Sequence, residues 1–227
     1  MILIVIMEDC IVDVPYQPTK EERGAIAELE KKGLVPDDWN SRKRGIKRFK
    51  DSIRDYMYEK QNGQCAYCRL HISRAVMHVH RDHIVNKSAH PQWIFLPENL
   101  CVSCPVCNEY KGETEVMVNP RVRVYPKDSG GFRIIHPLYD KYLDNIELID
   151  GILYRGKTEK GVFTIRTCHL SRVKLAEERV EEKLIAESKG IIAKILGLLS
   201  LSEQYVDNME EFRRFVEDIV KKYKQYH

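Results

Sequence analysis

Cys65-Ala66-Tyr67-Cys68 and Cys104-Pro105-Val106-Cys107 are two C-x2-C pairs with 35 residues between them, and Asp82-His83 lies in that interval. Two thiolates from one tight turn reach a single ion, and two such turns complete a tetrahedron. A closed set of four sulfurs leaves no place for water. Zn2+ held by Cys65, Cys68, Cys104 and Cys107 would therefore be structural, tying together segments too short to make a core of their own. The bland alternative is four reduced cysteines packed as small hydrophobes. Cys101, Cys104 and Cys107 form a C-x2-C-x2-C run, so Cys101 could replace Cys104. Cys104 is preferred because the second member of its pair directly precedes Asn108. Cys10 and Cys168 are isolated and read as buried bystanders.

Asp82 and His83 have the chemistry of phosphodiester hydrolysis. That reaction needs a deprotonated water and a cation to hold charge developing on phosphate oxygens. A strand ending in Asp82-His83 sends the two side chains to different sides. His83 could then take a proton from water, as an imidazole with a pKa near neutrality is suited to do, while Asp82 turns to a metal. His78 and His80 share the Asp82 face of that strand and are open between the metal shell and nucleic acid. His90 and His136, each followed by proline, read as turn residues. Taken singly, each of these residues is more often structural: a hydrogen-bonded histidine, a surface acid, a capping asparagine.

The ordered set C-A-Y-C (65–68), R-D-H-I-V-N-K-S (81–88), E-N-L (98–100) and C-P-V-C-N-E-Y-K-G (104–112) resembles the zinc-containing branch of the HNH endonuclease family. That resemblance implies a ββα-metal core and metal-dependent cleavage of DNA, with His83 as general base. It implies that Asn99 is the central asparagine, holding the hairpin loop and orienting the histidine backbone. It also places Asn108 at the start of the ββα helix and in the metal shell, an H-N-N variant. Hard oxygen ligands from Asp82 and Asn108 suit Mg2+ or Mn2+. Lys111 is expected on the first turn of that helix, facing a phosphate. A weaker resemblance links Asn119-Pro120-Arg121, His136-Pro137, the 160–165 segment and Leu170-Ser171-Arg172 to standalone bacterial HNH proteins of Septu-like anti-phage defence operons. It implies a P-loop ATPase partner, since this chain has no G-x4-G-K-[ST] motif of its own, and makes the helical C-terminal half the expected dock.

The elements that must position these residues are partly legible. Residues 1 to about 14 read as a β-branched strand, and Thr19 to Lys32 as a helix capped by Thr19 and stopped by Gly33. Pro36-Asp37-Asp38 is a turn. Six of the ten residues from Ser41 to Lys50 are Lys or Arg, leading into a helix that ends at Asn62-Gly63. Arg42, Lys43, Arg44, Lys47 and Arg48 are the expected phosphate contacts, against the usual fate of a charge run as a solvated face. Asp150-Gly151 predicts a hairpin between Ile146–Ile149 and Ile152–Tyr154, and a third strand is expected near Val162 to Arg166. From Ser171 the chain reads helical, in three pieces broken near Gly190 and Ser202. The last piece carries Phe212, Phe215, Val216, Ile219, Val220 and Tyr223 on one face, read as core packing. The expected class is α+β: a ββα-metal, treble-clef-like core over 41–118, preceded by a strand and helix (1–40) and followed by a mixed, then helical region (119–227).

Composition is that of an ordinary soluble globular chain, 43% hydrophobic and 31% charged, which speaks against low complexity and disorder. A net charge of +3 over 227 residues carries no nucleic-acid signal by itself. Seven cysteines, an odd number in metal-type spacing, favour a reducing, cytoplasmic setting over a disulfide framework. Met1 to Met7 lacks the basic flank and length of a signal peptide, and no run is long enough to span a bilayer. Two other functions are compatible: a catalytically inactive zinc-knuckle module that binds nucleic acid, and a zinc-stabilised interaction protein.

Overall fold

Helix α1 (Lys20–Glu30) begins where Thr19 and Glu22 close a capping box. The Glu22 carboxylate accepts from the Thr19 amide (2.7 Å) while the Thr19 hydroxyl accepts from the Glu22 amide (3.4 Å), satisfying two orphan donors of the first turn. Helix α2 (Arg44–Lys60) buries Ile46, Phe49, Ile53 and Met57, the stripe expected of a helix with one core face. The two helices meet at Gly45, where a Cβ would fall 2.6 Å from that of Ala25. The computed structural model describes residues 12–73, 79–186 and 207–226. Cys10, His78, most of the expected first strand and the breaks near Gly190 and Ser202 lie outside the described residues; residues 12–18 form no strand.

Strands β1 (His80–His83) and β2 (Leu100–Ser103) pair antiparallel, with Asp82 opposite Cys101 and His83 opposite Leu100. Helix α3 (Pro105–Lys111) follows directly, with proline in its first turn and Cys104 as its cap. The unit is therefore ββα. Buried Gln61, at the end of α2, fastens it by acting as a strand neighbour: its side-chain oxygen accepts from Val102 N (2.9 Å) and its nitrogen donates to Val102 O (2.8 Å).

After a short helix α4 (Tyr142–Asn145), β3 (Ile146–Ile149) and β4 (Leu153–Gly156) form the second two-stranded sheet. Asp150 and Gly151 have positive φ, 49° and 72°, the conformation this turn needs. The strand expected near Val162 to Arg166 is instead helix α5 (Glu159–Thr167). Its β-branched residues favour a strand by propensity, but the Thr158 hydroxyl caps Gly161 N–H at 3.0 Å. Gly161 packs so closely that a Cβ would lie 1.9 Å from Asn145 O. Local capping and that close approach override propensity. Helices α6 (Val173–Ala186) and α7 (Met209–Tyr226) complete the described chain. Phe212 and Val216 of the expected apolar stripe pack with Val173, Ala176 and Val180 of α6 and with Ile152 and Leu153. The class is α+β, and no helix among the described residues is long and apolar enough to cross a membrane.

Candidate active site and metal centre

The sulfurs of Cys65, Cys68, Cys104 and Cys107 all lie within 4.8 Å of one another, and all four residues are buried. The first turn is held by Arg69 N–H donating to Cys65 O (3.0 Å) and Cys65 N–H to Leu70 O (2.9 Å), with Arg69 at φ 59°. The second is the N-terminus of α3, where Cys107 N–H donates to Cys104 Sγ at 3.4 Å. Hydrogen bonds within the set hold the Cys65 thiol well below its ordinary range although burial acts against it. Sharing with the other thiols pushes Cys68 and Cys107 well up. The Cys65 thiolate is favoured while those of Cys68 and Cys107 are opposed, and a divalent cation at the centre would remove that opposition. The donor set fits a structural metal such as zinc. Cys101 is not part of it: its Sγ faces Tyr67 Oη at 3.7 Å. Cys168 is buried elsewhere, as expected.

The two faces of β1 differ. On one, Asp82 is buried, accepts from the Tyr67 hydroxyl, and receives Lys111 Nζ at 3.1 Å. Burial raises the Asp82 pKa against the lowering effect of Lys111. Burial and the Asp82 charge push Tyr67 well up, keeping it an O–H donor. Lys111 is 1% exposed and donates also to His83 O at 2.8 Å. The expectation of a phosphate contact at Lys111 does not survive that burial; its stem is needed inside to reach Asp82. Along the same face Asn108 Nδ2 lies 3.2 Å from His80 Nδ1. Asn108 and Lys111, one turn apart on α3, thus meet His80 and Asp82, two apart on β1, and no direct contact joins Asp82 to Asn108 among the described residues. Carboxylate and amide oxygens are the donor types a hard divalent cation takes; the Asp82 carboxylate is held here in a buried ion pair with the Lys111 ammonium.

On the other face His83 is buried against Trp39, ring centroids 4.5 Å apart and edge-on, and its Nε2 lies 3.0 Å from Ile94 O. A carbonyl only accepts, so Nε2 carries the proton and Nδ1 keeps its lone pair. Burial lowers its pKa to about 3, so the ring is neutral at pH 7. Trp39, on the 3-10 turn Pro36–Asn40, is itself tied down by Lys50 Nζ donating to its carbonyl at 3.0 Å.

The loop from Ile84 to Asn99 is organised by Asn99, which is fully buried. Its Oδ1 accepts from Val85 N–H (2.7 Å), and its Nδ2 donates to Val85 O (3.1 Å) and Trp93 O (3.2 Å). A fourth bond comes from Tyr125 Oη at 3.2 Å, so all four of its bonding positions are used. Behind Tyr125 stands His136, which opens a turn as expected, its carbonyl accepting from Tyr139 N–H at 3.0 Å, and is also fully buried, with Nε2 at 3.0 Å from Tyr125 Oη. Leu138 N–H donates to His136 Nδ1 at 3.2 Å, which puts the ring proton on Nε2. His136 Nε2 is then the donor, and the one Tyr125 hydroxyl hydrogen is shared between Asn99 Oδ1 and Glu98 O, at 3.2 and 3.3 Å. His90, by contrast, stacks on Trp93 at 4.4 Å.

The basic run is solvent-facing but partly answered. Lys43 pairs with Glu28 at 2.7 Å, and Arg44 and Arg48 with Glu21 at 3.6 and 2.9 Å. Arg42 and Lys47 are exposed and make no ion pair among the described residues. Sequence reasoning missed Trp39, Tyr67, Tyr125 and Gln61. The C-Y-C context of Tyr67 and the proximity of Tyr125-Pro126 to the motif were the available signals; Trp39 and Gln61 carried none.

Together these features define an α+β protein with a ββα unit built on a four-thiol metal centre, carrying an Asp-His pair at the end of its first strand. No family model matches the chain. It is 24% identical over 171 residues to a Septu protein PtuB of Bacillus thuringiensis. The aligned stretch takes in 75% of this chain and 60% of the length of that relative.

Proposed function

We propose that the chain is a metal-dependent endonuclease of HNH type that hydrolyses DNA phosphodiester bonds. His83 is the general base, and Asp82 and Asn108 hold a divalent metal, Mg2+ or Mn2+. The observation that carries this reading is the state of His83: a neutral imidazole whose Nε2–H is spent on Ile94 O, leaving Nδ1 to accept a proton. Nδ1 takes the proton from the attacking water. Phosphate brought beside the ring adds negative charge, which raises the pKa of the imidazole toward the range a base needs. Asn99 and its relay hold the loop whose Ile94 carbonyl orients the ring. When bound, the metal supplies positive charge for the phosphate oxygens. Asp82 would hold that charge in place of the Lys111 ammonium, which also donates to His83 O. Arg42, Lys43, Arg44, Lys47 and Arg48 contact flanking phosphates; exposed ion pairs with Glu21 and Glu28 are weak enough to exchange.

The similarity to a Septu protein supports a place in anti-phage defence. We assign a P-loop ATPase as regulatory partner, docking on the C-terminal helical region; affinity purification from the native host that recovers no ATPase contradicts this assignment. One observation favours a second reading, an inactive nucleic-acid-binding module: the Asp82 carboxylate is already satisfied by Tyr67 and Lys111. Supercoiled plasmid incubated with EDTA, Mg2+ or Mn2+ separates the two. Nicking or linearisation only with divalent metal is the expected result. Retarded but intact plasmid in every lane identifies the inactive module.

A further inference from the structure

One arginine of the C-terminal region reaches a sulfur of the four-thiol centre and a second reaches its backbone. Arg172 and Arg179 are 8% and 3% exposed; Arg172 directly precedes α6 and Arg179 lies within it. Arg172 Nη2 lies 3.8 Å from Cys107 Sγ, and its Nη1 donates to Cys168 O and His169 O at 3.2 and 2.9 Å. No carboxylate pairs with Arg172 among the described residues. Arg179 donates from Nε to Tyr154 Oη at 3.0 Å and from Nη2 to Cys68 O. Tyr154 Oη donates to the same carbonyl at 2.5 Å, and Tyr142 Oη to Tyr67 O at 2.7 Å. The knuckle backbone is thus gripped by side chains that come from far along the chain.

A buried guanidinium needs a nearby negative charge. Four neutral thiols offer none; four thiolates around a divalent ion would place a net charge of −2 beside the Arg172 guanidinium, closer than Glu178, which acts on it without forming an ion pair. Hydrogen bonds to sulfur from surrounding groups also tune how firmly such a centre holds its ion. We propose that the metal–thiolate centre is the docking site for α6, with Arg172 as its charge-balancing positioning residue and Arg179 holding the Cys68 carbonyl of its first turn. Metal loading and attachment of the C-terminal helical region are therefore coupled. This rests on the structural metal alone and stands whether or not the chain cuts DNA.

The test uses the zinc-loaded full chain and follows zinc transfer to the chromogenic chelator 4-(2-pyridylazo)resorcinol. Arg172→Met, which removes the charge, should release zinc at least about tenfold faster. Arg172→Lys, which keeps it, should fall between wild type and Arg172→Met. Val180→Ala loosens α6 packing without touching the thiols and should stay within about twofold of wild type, because coupling runs through charge and not packing. Equal acceleration in Arg172→Met and Val180→Ala, or none in Arg172→Met, overturns the proposal. A second measurement needs no variant: amide exchange of wild type before and after stripping zinc. Residues 173–186 should lose protection by at least about tenfold while α1 and α2 keep theirs. Unchanged protection in α6, or equal loss in all three helices, contradicts the coupling.

Discussion

The four-thiol knuckle and the loop from Ile84 to Asn99 are neighbours in the same ββα unit, yet they are held by opposite means. The knuckle draws four sulfurs to a single centre, so with a metal held there its integrity would depend on one ion. The loop is held by neutral hydrogen bonds that meet at Asn99 and run back through Tyr125 to His136, each contributing about 1 kcal/mol. One arrangement fails all at once and the other by degrees. Both receive polar support from residues beyond 120, so neither half of the local motif is self-sufficient.

The largest effect should come from the knuckle. Elemental analysis should find one structural metal per chain, and Cys68→Ser should abolish it. Structural zinc sites contribute on the order of 10 kcal/mol to the segments they tie together, so the variant should lose amide protection in the knuckle and in α6 while α1 and α2 keep theirs. Full protection of the knuckle would mean that the core holds it without metal. Next, Asn99→Ala strands Val85 N–H, Val85 O and Trp93 O in a buried site, and urea unfolding should show a loss of about 3–4 kcal/mol.

The His136 end of the relay sharpens the contrast through pH. Burial, with the nearby Lys160 charge, lowers its pKa to about 3. The unfolded chain binds the proton first, near pH 6.5. The stability it confers is thus complete above 6.5 and is lost as pH falls toward 3, by about 1.4 kcal/mol per unit. His136→Asn should flatten the wild-type profile by that slope; parallel profiles would place the histidine in water. Tyr125→Phe removes two bonds, the one donated toward Asn99 and the one accepted from His136, and keeps the ring, so a loss of about 2 kcal/mol is expected, with faster exchange of the Val85 amide. The smallest effect is at the surface: Lys43→Ala breaks its pair with Glu28 but should change stability by under about 0.5 kcal/mol.

The knuckle was legible in the sequence because its ligands come as two local pairs, and the choice of Cys104 over Cys101 agrees with the cluster. The hairpin around Asp150-Gly151 and the helices capped by Thr19 and led by the basic run were legible for the same reason: local signals sufficed. The Val162–Arg166 segment was misread because β-branched residues outvoted a single Thr158 cap, and the contact that demands Gly161 is with Asn145, 16 residues away. The turn at His136 was legible from the proline after it, whereas the bond of its side chain to Tyr125 is tertiary. Lys111 read as a surface cation because lysine usually is one; only the fold shows that Asp82 lies beneath it. Arg172 was legible only within the Leu170-Ser171-Arg172 resemblance and Arg179 not at all, since their partners in the knuckle lie 65 or more residues earlier in the chain.

The most direct test of the nuclease assignment is single-turnover cleavage of one labelled DNA duplex by wild type and His83→Ala in Mn2+, with binding read by anisotropy on the same duplex in EDTA. The expected result is a rate loss of at least about 100-fold in the variant with affinity within about twofold of wild type. Equal cleavage rates, or a loss of binding that accounts for the whole effect, would contradict the role of His83 as the base.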